Sequence, residues 1–298
     1  MIAEQLESES VAGHVPASHP PLRDGATLLL TGEDLMSRRQ LRRTQRLREW
    51  PQVSVVIPTL NEALNLPLVL AEIPHDAYEV VIVDGLSTDG TPDVARAVRP
   101  DAKIVMQTGR GKGDALRCGF EAASGDILVM LDADGSADPA EIPRFVEALL
   151  DGADFAKGSR FCESGGSSDI TPLRKAGNLA LSGTVNALFR TSYSDLCYGY
   201  NAFWRHCLPA MDVDCTGFEI ETLINIRVGR AGLNVREIPS FERDRIHGES
   251  NLRTFRDGGR VLRTILRERL RRAHAPTCRE HAARRPEFTE LAVASENA

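Results

Sequence analysis

Two aspartates separated by a single residue, Asp132 and Asp134, are the side chains in this sequence best suited to holding a metal ion. They follow the apolar run 127–131, so both carboxylates should lie on a tight turn at the end of a strand. Adjacent carboxylates repel each other, and a hard divalent cation with oxygen ligands neutralises them. Mg²⁺ or Mn²⁺ held there would offset charge on a departing nucleoside diphosphate. The competing interpretation is a plain turn before a helix.

Two further polar segments also follow apolar runs. Asp84 follows the run 79–83, and its carboxylate can accept hydrogen bonds from a base or a ribose there. The alternative for Asp84 is an Asx-turn. The segment 109–112, which ends in Lys112, is a flexible basic loop before a helical pattern and suits the approach of a phosphate group. It is not a Walker A loop, because the GxxxxGK[ST] arrangement is absent.

Apolar runs alternate with helical patterns between residue 53 and about residue 157. The predicted strands are 53–57, 79–83, 103–106, 127–131 and a fifth that starts at 153. Strands without polar interruptions, separated by helices, predict βαβ units and a mostly parallel sheet covered on both faces. Thr59 and Glu62 predict a capping box for the first helix. In such sheets ligands bind beyond the carboxyl ends of the strands, which is where the polar segments collect.

The second half of the chain is less regular. Its predicted elements are helices over 173–189, 218–231 and 254–272, a stretch rich in Gly, Tyr and Asn over 195–203, and a strand over 234–238. We therefore expect one domain over 51–272, with a nucleotide-binding half (51–157) and an acceptor half (158–272). Residues 1–50 read as a mobile polar and basic leader, and 273–298 as a disordered tail.

Composition excludes several classes of protein. The chain is 42% hydrophobic and 26% charged, as in ordinary globular proteins, and its formal charge of −6 argues against nucleic acid as a partner. Its six cysteines form no CxxC pair, and the first twenty residues lack the apolar region of a secretory signal. No apolar run approaches the ~20 residues that span a bilayer. These features predict a cytoplasmic protein.

Five motifs then appear in order: Val55–Glu62, Ile82–Thr91, Gly111–Gly113, Leu131–Asp134 and Gly158–Phe161. Their order and spacing resemble those of the family 2 inverting glycosyltransferases, and most closely the dolichyl- or polyprenyl-phosphate mannose or glucose synthase branch. The similarity covers about residues 52–268. It implies the GT-A fold, a single Rossmann-like α/β domain with a mostly parallel central sheet flanked by helices.

The resemblance implies roles for the matching positions in the first half. The implied donor-binding residues are Pro58, Asn61, Glu62, Asp84, Lys112, Asp132 and Asp134. Asp132 and Asp134 would hold ribose, diphosphate and the Mg²⁺ or Mn²⁺ ion, with Ser136 at the position of a third metal ligand. The family's usual double aspartate after the second strand is Asp84-Gly85 here, so only Asp84 carries over.

In the second half the resemblance implies a phosphate acceptor. The implied phosphate-binding residues are Arg160, Arg174, Asn178, Arg245 and Ser250. Asn251 stands where many family members have lysine. Asp195 matches the carboxylate near sugar and acceptor, and Glu219 matches the family's Phe-Glu segment, so that Asp195, Arg245 and Glu219 are the catalytic candidates.

These assignments predict a metal-dependent inverting transferase that moves a hexose from a GDP-mannose or UDP-glucose type donor. A hydroxyl acceptor would need a general base, for which Asp195 is the first candidate. A phosphate is already anionic and needs positioning, a task suited to arginine, so the arginines favour a polyprenyl or dolichyl phosphate acceptor. The alternative is a family member acting on a hydroxyl of a soluble saccharide or secondary metabolite. A nucleotidyltransferase is disfavoured because 58–62 lacks its glycine-rich signature.

Two arginine-rich segments bear on membrane contact. Residues 37–48 contain six arginines, and 260–272 place Val261 and Ile265 on a helical face surrounded by arginines. Basic amphipathic helices can lie on anionic lipid, although a solvated surface helix is the alternative. The segments leave open a peripheral contact with the inner face of the membrane.

Overall fold

A computed structural model of the protein describes residues 51–74, 78–249 and 252–271. The predicted leader (1–50), the predicted tail (273–298), the arginine-rich segment 37–48 and Ser250 lie outside these described residues.

Strands and helices alternate through the first half and become less regular in the second. The strands are β1 (Val53–Thr59), β2 (Glu79–Asp84), β3 (Lys103–Met106), β4 (Ile127–Met130), β5 (Phe155–Ser159), β6 (Gly166–Ser167), β7 (Asn201–Trp204), β8 (Val235–Pro239) and β9 (Phe241–Glu242). The helices are α1 (Leu66–Glu72), α2 (Thr91–Val98), α3 (Gly111–Ala122), α4 (Ile142–Leu150), α5 (Pro172–Phe189), α6 (Leu208–Met211), α7 (Ile220–Arg230) and α8 (Thr254–Leu270).

Seven strands form the central sheet in the order β3-β2-β1-β4-β7-β5-β8. All neighbouring pairs are parallel except those of β7, which runs antiparallel between β4 and β5. The mostly parallel α/β sheet predicted from the sequence is therefore present. Helices cover both faces, which is why the apolar residues of β1, β2 and β4 are almost completely buried.

One local prediction was wrong. Thr59 does not cap a helix: it is the last residue of β1, and its hydroxyl donates to the carbonyl of Val83 on β2 at 3.3 Å. The first helix starts later, at Leu66. The sequence analysis assigned no helix or strand to the stretch 195–203; its end forms β7, in which Ala202 and Phe203 are buried in the centre of the sheet.

Buried ion pairs hold the last helix to the domain. Arg227 on α7 donates to both carboxylate oxygens of Glu268 on α8, at 2.8 and 3.2 Å, and to Asp214 at 2.9 Å. Val261 and Ile265 of α8 are buried, as expected for the inner face of an amphipathic helix. No helix among the described residues is both long and apolar enough to cross a bilayer.

Candidate active site

A cleft of about 970 Å³ opens where β1, β2 and β4 end and continues outward between α5 and α8. The predicted site residues on its wall are Pro58, Glu62, Lys112, Asp132, Asp134, Ser136, Arg160, Arg174, Asn178 and Arg245. Asn61, Asp84, Asp195 and Glu219 are not on this wall. Ten of the predicted site residues therefore lie on one continuous surface, although they come from widely separated parts of the chain.

The first aspartate of the pair lies in a cluster with one lysine and a second carboxylate. Nζ of Lys112 is 2.8 Å from Oδ1 of Asp132 and 2.8 Å from Oε1 of Glu221. Burial alone would lower the pKa of Lys112, but the two carboxylates outweigh burial and raise this pKa above its usual value. Burial raises the pKa of Glu221, and Lys112 opposes that shift. Lys112 is thus a fixed cation beside Asp132.

The second aspartate is held by an arginine from the loop after β9. Arg245 donates to Oε1 of Glu62 at 2.9 Å and lies 3.1 Å from Oδ2 of Asp134. The other oxygen of Asp134 accepts from the main-chain N–H of Ser136 at 3.0 Å and from its hydroxyl at 2.8 Å. Main-chain bonds from Arg243 to Ser136 and from Ile246 to Asp134 tie the two loops together. The Asp134 carboxylate is therefore positioned from both sides.

A buried cluster around Arg160 forms the next part of the site. Its guanidinium donates to both oxygens of Asp195, at 2.7 and 3.0 Å, and to Glu242 at 3.0 and 3.1 Å. Asp195 is fully buried and also accepts from Nδ2 of Asn178 at 2.7 Å. Burial would raise the pKa of Asp195, but its bonds to Arg160 outweigh burial and hold it below its usual range. The carboxylate is an ionised anchor enclosed by its donors.

The remaining cations differ in how they are held. Arg174 on α5 pairs with Asp169 at 3.2 Å. Arg110, which the sequence analysis did not select, lines the cleft and is exposed, with no ion-pair partner among the described residues. Glu219 accepts from the main-chain N–H of Gly217 at 3.2 Å and is turned away from the cleft, whereas Glu221 faces it.

Asn61 and Asp84 shape a turn beside the cleft. Asp84 accepts the main-chain N–H of Ser87 at 2.9 Å and is fully buried. Asn61, in the left-handed region with φ of 58°, accepts the N–H of Thr88 at 2.8 Å. The bond from Ser87 to Asp84 spans three residues, one more than an Asx-turn does. The nearby surface of the cleft is formed by Leu60, Gly85, Leu86 and Gln107.

The oxygen atoms on the cleft wall could supply some, but not all, of the ligands of a hard divalent cation. Asp132 and Asp134 both face the cleft, while the Ser136 hydroxyl is engaged with Asp134. Within the described segments no group of three His, Cys, Asp or Glu side chains could hold a metal ion. The protein thus offers two carboxylates, and such a cation would take its other oxygens from phosphate and water, as Mg²⁺ usually does.

A sequence model of the family described as "Glycosyl transferase family 2" matches residues 54–208, which is more than half of the 298-residue chain. The matched segment includes β1–β5, β7 and both aspartates of the pair. The chain belongs to glycosyl transferase family 2. The protein is therefore an enzyme, a glycosyltransferase, and the resemblance drawn from the five motifs is confirmed.

This glycosyltransferase is similar to two named transferases over most of its domain. It is 32% identical to the dolichyl-phosphate hexose transferase of Haloferax volcanii, over 74% of this chain and 96% of that protein. It is 34% identical to the polyprenol monophosphomannose synthase of Mycolicibacterium smegmatis, over 69% of this chain and 83% of that protein.

Among solved structures, the glucosyl-3-phosphoglycerate synthase of Mycobacterium tuberculosis superposes with a TM-score of 0.59. That structure contains Mn²⁺, UDP-glucose and phosphoglyceric acid; the match has 23% identity and covers 75% of this chain and 82% of that chain. The likeness confirms the GT-A fold of the glycosyltransferase.

Several residues of the site carry no signal in the sequence. Glu221 and Glu242 hold Lys112 and Arg160 from α7 and β9. Glu242 lies in no recognisable motif, and in the Phe-Glu segment Glu219 was selected instead of Glu221. Gly199 packs directly on the first cluster, since a Cβ placed there would lie 3.0 Å from Nζ of Lys112. Only the basic composition of 109–112 indicated Arg110. Tertiary pairing, not local spacing, brings these groups to the site.

Proposed function

We propose that this glycosyltransferase transfers a hexose from a GDP-mannose or UDP-glucose type donor to a polyprenyl or dolichyl phosphate, with a divalent metal ion bound. The proposal rests on a change from charged to apolar lining residues along one cleft. The cleft is lined by charged groups around Asp132 and Asp134 and by apolar side chains between α5 and α8. The names of the two relatives support the same class of acceptor.

The donor would occupy the charged end. Leu60 and Leu86 offer apolar surface for the nucleoside, and Lys112 is fixed where a diphosphate would approach the aspartates. Asp132 and Asp134 would hold Mg²⁺ or Mn²⁺, which when bound offsets negative charge on the leaving diphosphate. Lys112 and Arg245 orient these two carboxylates and add positive charge beside the same leaving group.

The acceptor would occupy the apolar end. Its walls combine the apolar Ile170, Leu173, Leu181, Leu252 and Val261 with the polar Asp169, Thr254 and Asp257. Arg174 stands on the same wall, and its guanidinium can share its donors between Asp169 and a phosphate group. A monophosphate joined to an apolar chain is the group that fits arginine beside leucine and isoleucine. Arg160 and Arg245 stay tied to carboxylates and would contribute mainly by orienting their partners.

The chemical step needs no proton acceptor from the protein. A phosphate oxygen of the acceptor attacks the anomeric carbon from the face opposite the nucleotide, and the bond to the diphosphate breaks as the new bond forms. The configuration is inverted and a nucleoside diphosphate leaves. Because the attacking oxygen is already anionic, we assign Asp195 to positioning Arg160 and Asn178, and Glu219 to the turn at Gly217.

Transfer to lipid phosphate can be tested directly by phase extraction. We expect the full chain, incubated with radiolabelled UDP-glucose or GDP-mannose, Mg²⁺ or Mn²⁺ and a short polyprenyl phosphate, to move label into the organic phase. The label should be released by mild acid, because a glycosyl phosphate is acid-labile. Omitting the polyprenyl phosphate is the control. Label that enters only the aqueous phase, in a soluble glycoside, would contradict the proposal.

If the acceptor is a lipid, the rim of the apolar end of the cleft, formed by Phe255 and Leu173, should face the membrane. Phe255, at the start of α8 beside the apolar end of the cleft, is 85% exposed, and Leu173 across the cleft is 60% exposed. The exposed Arg253 and Arg256 flank Phe255 and complement anionic lipid. We expect the chain to float with vesicles containing phosphatidylglycerol and Phe255→Ser to weaken this binding about tenfold, since burying a phenylalanine contributes roughly 1.5–3 kcal/mol.

The matched control for this prediction is Leu64→Ser. Leu64 is 72% exposed, lies close to Asn61 and does not line the cleft. Equal binding by wild type and Phe255→Ser, or an equal loss in both variants, would argue against the rim.

A further inference from the structure

Two glycines, Gly177 on α5 and Gly258 on α8, line the apolar end of the cleft. Both are within helices, neither has a positive φ, and a Cβ added to either would meet no atom within 4 Å. Neither the backbone conformation nor packing against the described residues therefore requires glycine at these two positions. A larger side chain would fit the helices and occupy open space.

The neighbouring side chains show that this open space belongs to the cleft. Leu173, Gly177 and Leu181 are spaced four residues apart on α5, so they share one side of the helix, and both leucines line the cleft. On α8, Gly258 lies three residues before Val261, which also lines the cleft. The space that the two missing side chains leave between the helices is called the glycine gap below.

The glycine gap has apolar side chains at both of its ends. Leu173 and Leu181 lie about 12 Å apart along the axis of α5, because a helix rises about 1.5 Å per residue. Leu181 packs against the buried cluster that includes Val185 of α5 and Val261 and Ile265 of α8. The two helices are therefore in contact at the inner end of the gap, and the cleft is open beside Gly177 and Gly258.

The arginine that we propose binds the acceptor phosphate is next to the gap. Arg174 lies three residues before Gly177 on α5, and residues with this spacing are neighbours on the helix surface, about 5–6 Å apart. Both residues line the cleft. A phosphate held by Arg174 would have the glycine gap beside it, so a chain attached to that phosphate would meet the gap with its first carbon atoms.

We infer that the glycine gap receives the apolar chain of the acceptor, and that the missing side chains at Gly177 and Gly258 determine which chain-bearing phosphates the enzyme uses. This inference rests on the proposed function in that the acceptor is a phosphate with an apolar chain. Glycine within a helix is less favourable than alanine, but it allows a ligand to approach the backbone closely. A larger side chain at either position would fill space that the chain occupies.

The test measures kcat and KM of the full chain, with its accepted donor, for farnesyl phosphate and for ethyl phosphate, whose chain is too short to fill the gap. We expect the wild type to prefer farnesyl phosphate. In Gly177→Leu and in Gly258→Leu the KM for farnesyl phosphate should rise about ten- to a hundredfold, because the added side chain overpacks the gap. The preference for farnesyl over ethyl phosphate should shrink by the same factor. Gly258→Ala, which adds one methyl group, should lie between wild type and Gly258→Leu.

Gly183→Leu and Gly259→Leu are the matched controls. Gly183 is on α5 and Gly259 on α8, and both are exposed. A Cβ on either would meet no atom within 4 Å, but neither glycine is on the cleft wall. These variants make the same change in the same two helices, and they should keep the wild-type preference for farnesyl phosphate.

Three results would overturn the inference while the proposed function stands. They are a wild type that uses the two phosphates equally well, gap variants that keep the same preference as the controls, and a loss of equal size with both phosphates. The last result would show a general disturbance of the site instead of a blocked chain. A wild type that hydrolyses the donor but transfers sugar to neither phosphate would contradict the proposed function itself, and the inference with it.

Discussion

Asp134→Asn should lower the rate of sugar transfer by about a thousandfold and leave the protein folded. The substitution removes a negative charge that we propose binds the metal ion, and a metal contributes several kcal/mol of charge stabilisation in the transition state, where about 1.4 kcal/mol is tenfold in rate. Folding should survive, because Oδ1 of the new asparagine can still accept from Ser136 and Arg245 keeps its bond to Glu62.

The measurement is nucleoside diphosphate release under saturating donor, with Mg²⁺ or Mn²⁺ varied over several decades. Asp138→Asn is the matched control, four residues later on the same loop: Asp138 caps the turn at Pro139 by accepting from Ala140, which asparagine also does, and it is not on the cleft wall. We expect it to keep most of the activity. An Asp134→Asn enzyme within a few-fold of wild type at every metal concentration would exclude this carboxylate as a metal ligand.

The sequence predicts the frame of this site because its strands are uninterrupted apolar runs. β1, β2, β3 and β4 start at the predicted residues, and an α/β sheet brings their carboxyl ends to one edge. The placement of Asp132, Asp134 and Lys112 on a common cleft follows from that rule alone. The second half resists prediction because β7 enters the sheet antiparallel and β6 and β9 have two residues each, too few for a periodic signal.

The chemical roles of the site residues are less predictable from the sequence than their positions are. The sequence shows several arginines but not that Arg160 is enclosed by Asp195 and Glu242, because that requires pairs separated by 35 and 82 residues. The sequence likewise does not distinguish Glu219 from Glu221 as candidate site residues. The path of the chain into α7 decides between them, because Glu219 bonds to Gly217 and Glu221 pairs with Lys112. Burial and partner decide whether a carboxylate can act on a ligand, and neither is visible in a motif.

Asp195→Ala should lower the free energy of unfolding by about 3–5 kcal/mol, the usual effect of removing one partner from a buried ion pair. Asp195 is fully buried, and without it the guanidinium of Arg160 would keep Glu242 alone, while Nδ2 of Asn178 would lose its acceptor. Urea unfolding at pH 7, followed by circular dichroism, measures the difference.

Glu242→Gln is the control, since it removes a carboxylate from the same guanidinium where the side chain is 12% exposed and Asp195 remains. We expect a smaller loss of about 1.5–3 kcal/mol, typical of a hydrogen bond to a charged group. An equal loss in the two variants would mean that Arg160 is not anchored chiefly by Asp195.

The pH dependence separates an anchor from a catalytic base. Asp195 has a pKa below its usual range in the folded protein, so its stabilisation is complete above the unfolded value of about 3.9 and disappears as the pH falls through the lower folded value. The difference in unfolding free energy between wild type and Asp195→Ala should therefore be constant from pH 8 to 6 and shrink only below about pH 4. A base would instead give the variant a kcat/KM profile without its acidic limb and a nearly unchanged stability. Because Arg160, Asn178 and Cys197 enclose the carboxylate, we expect the first pattern.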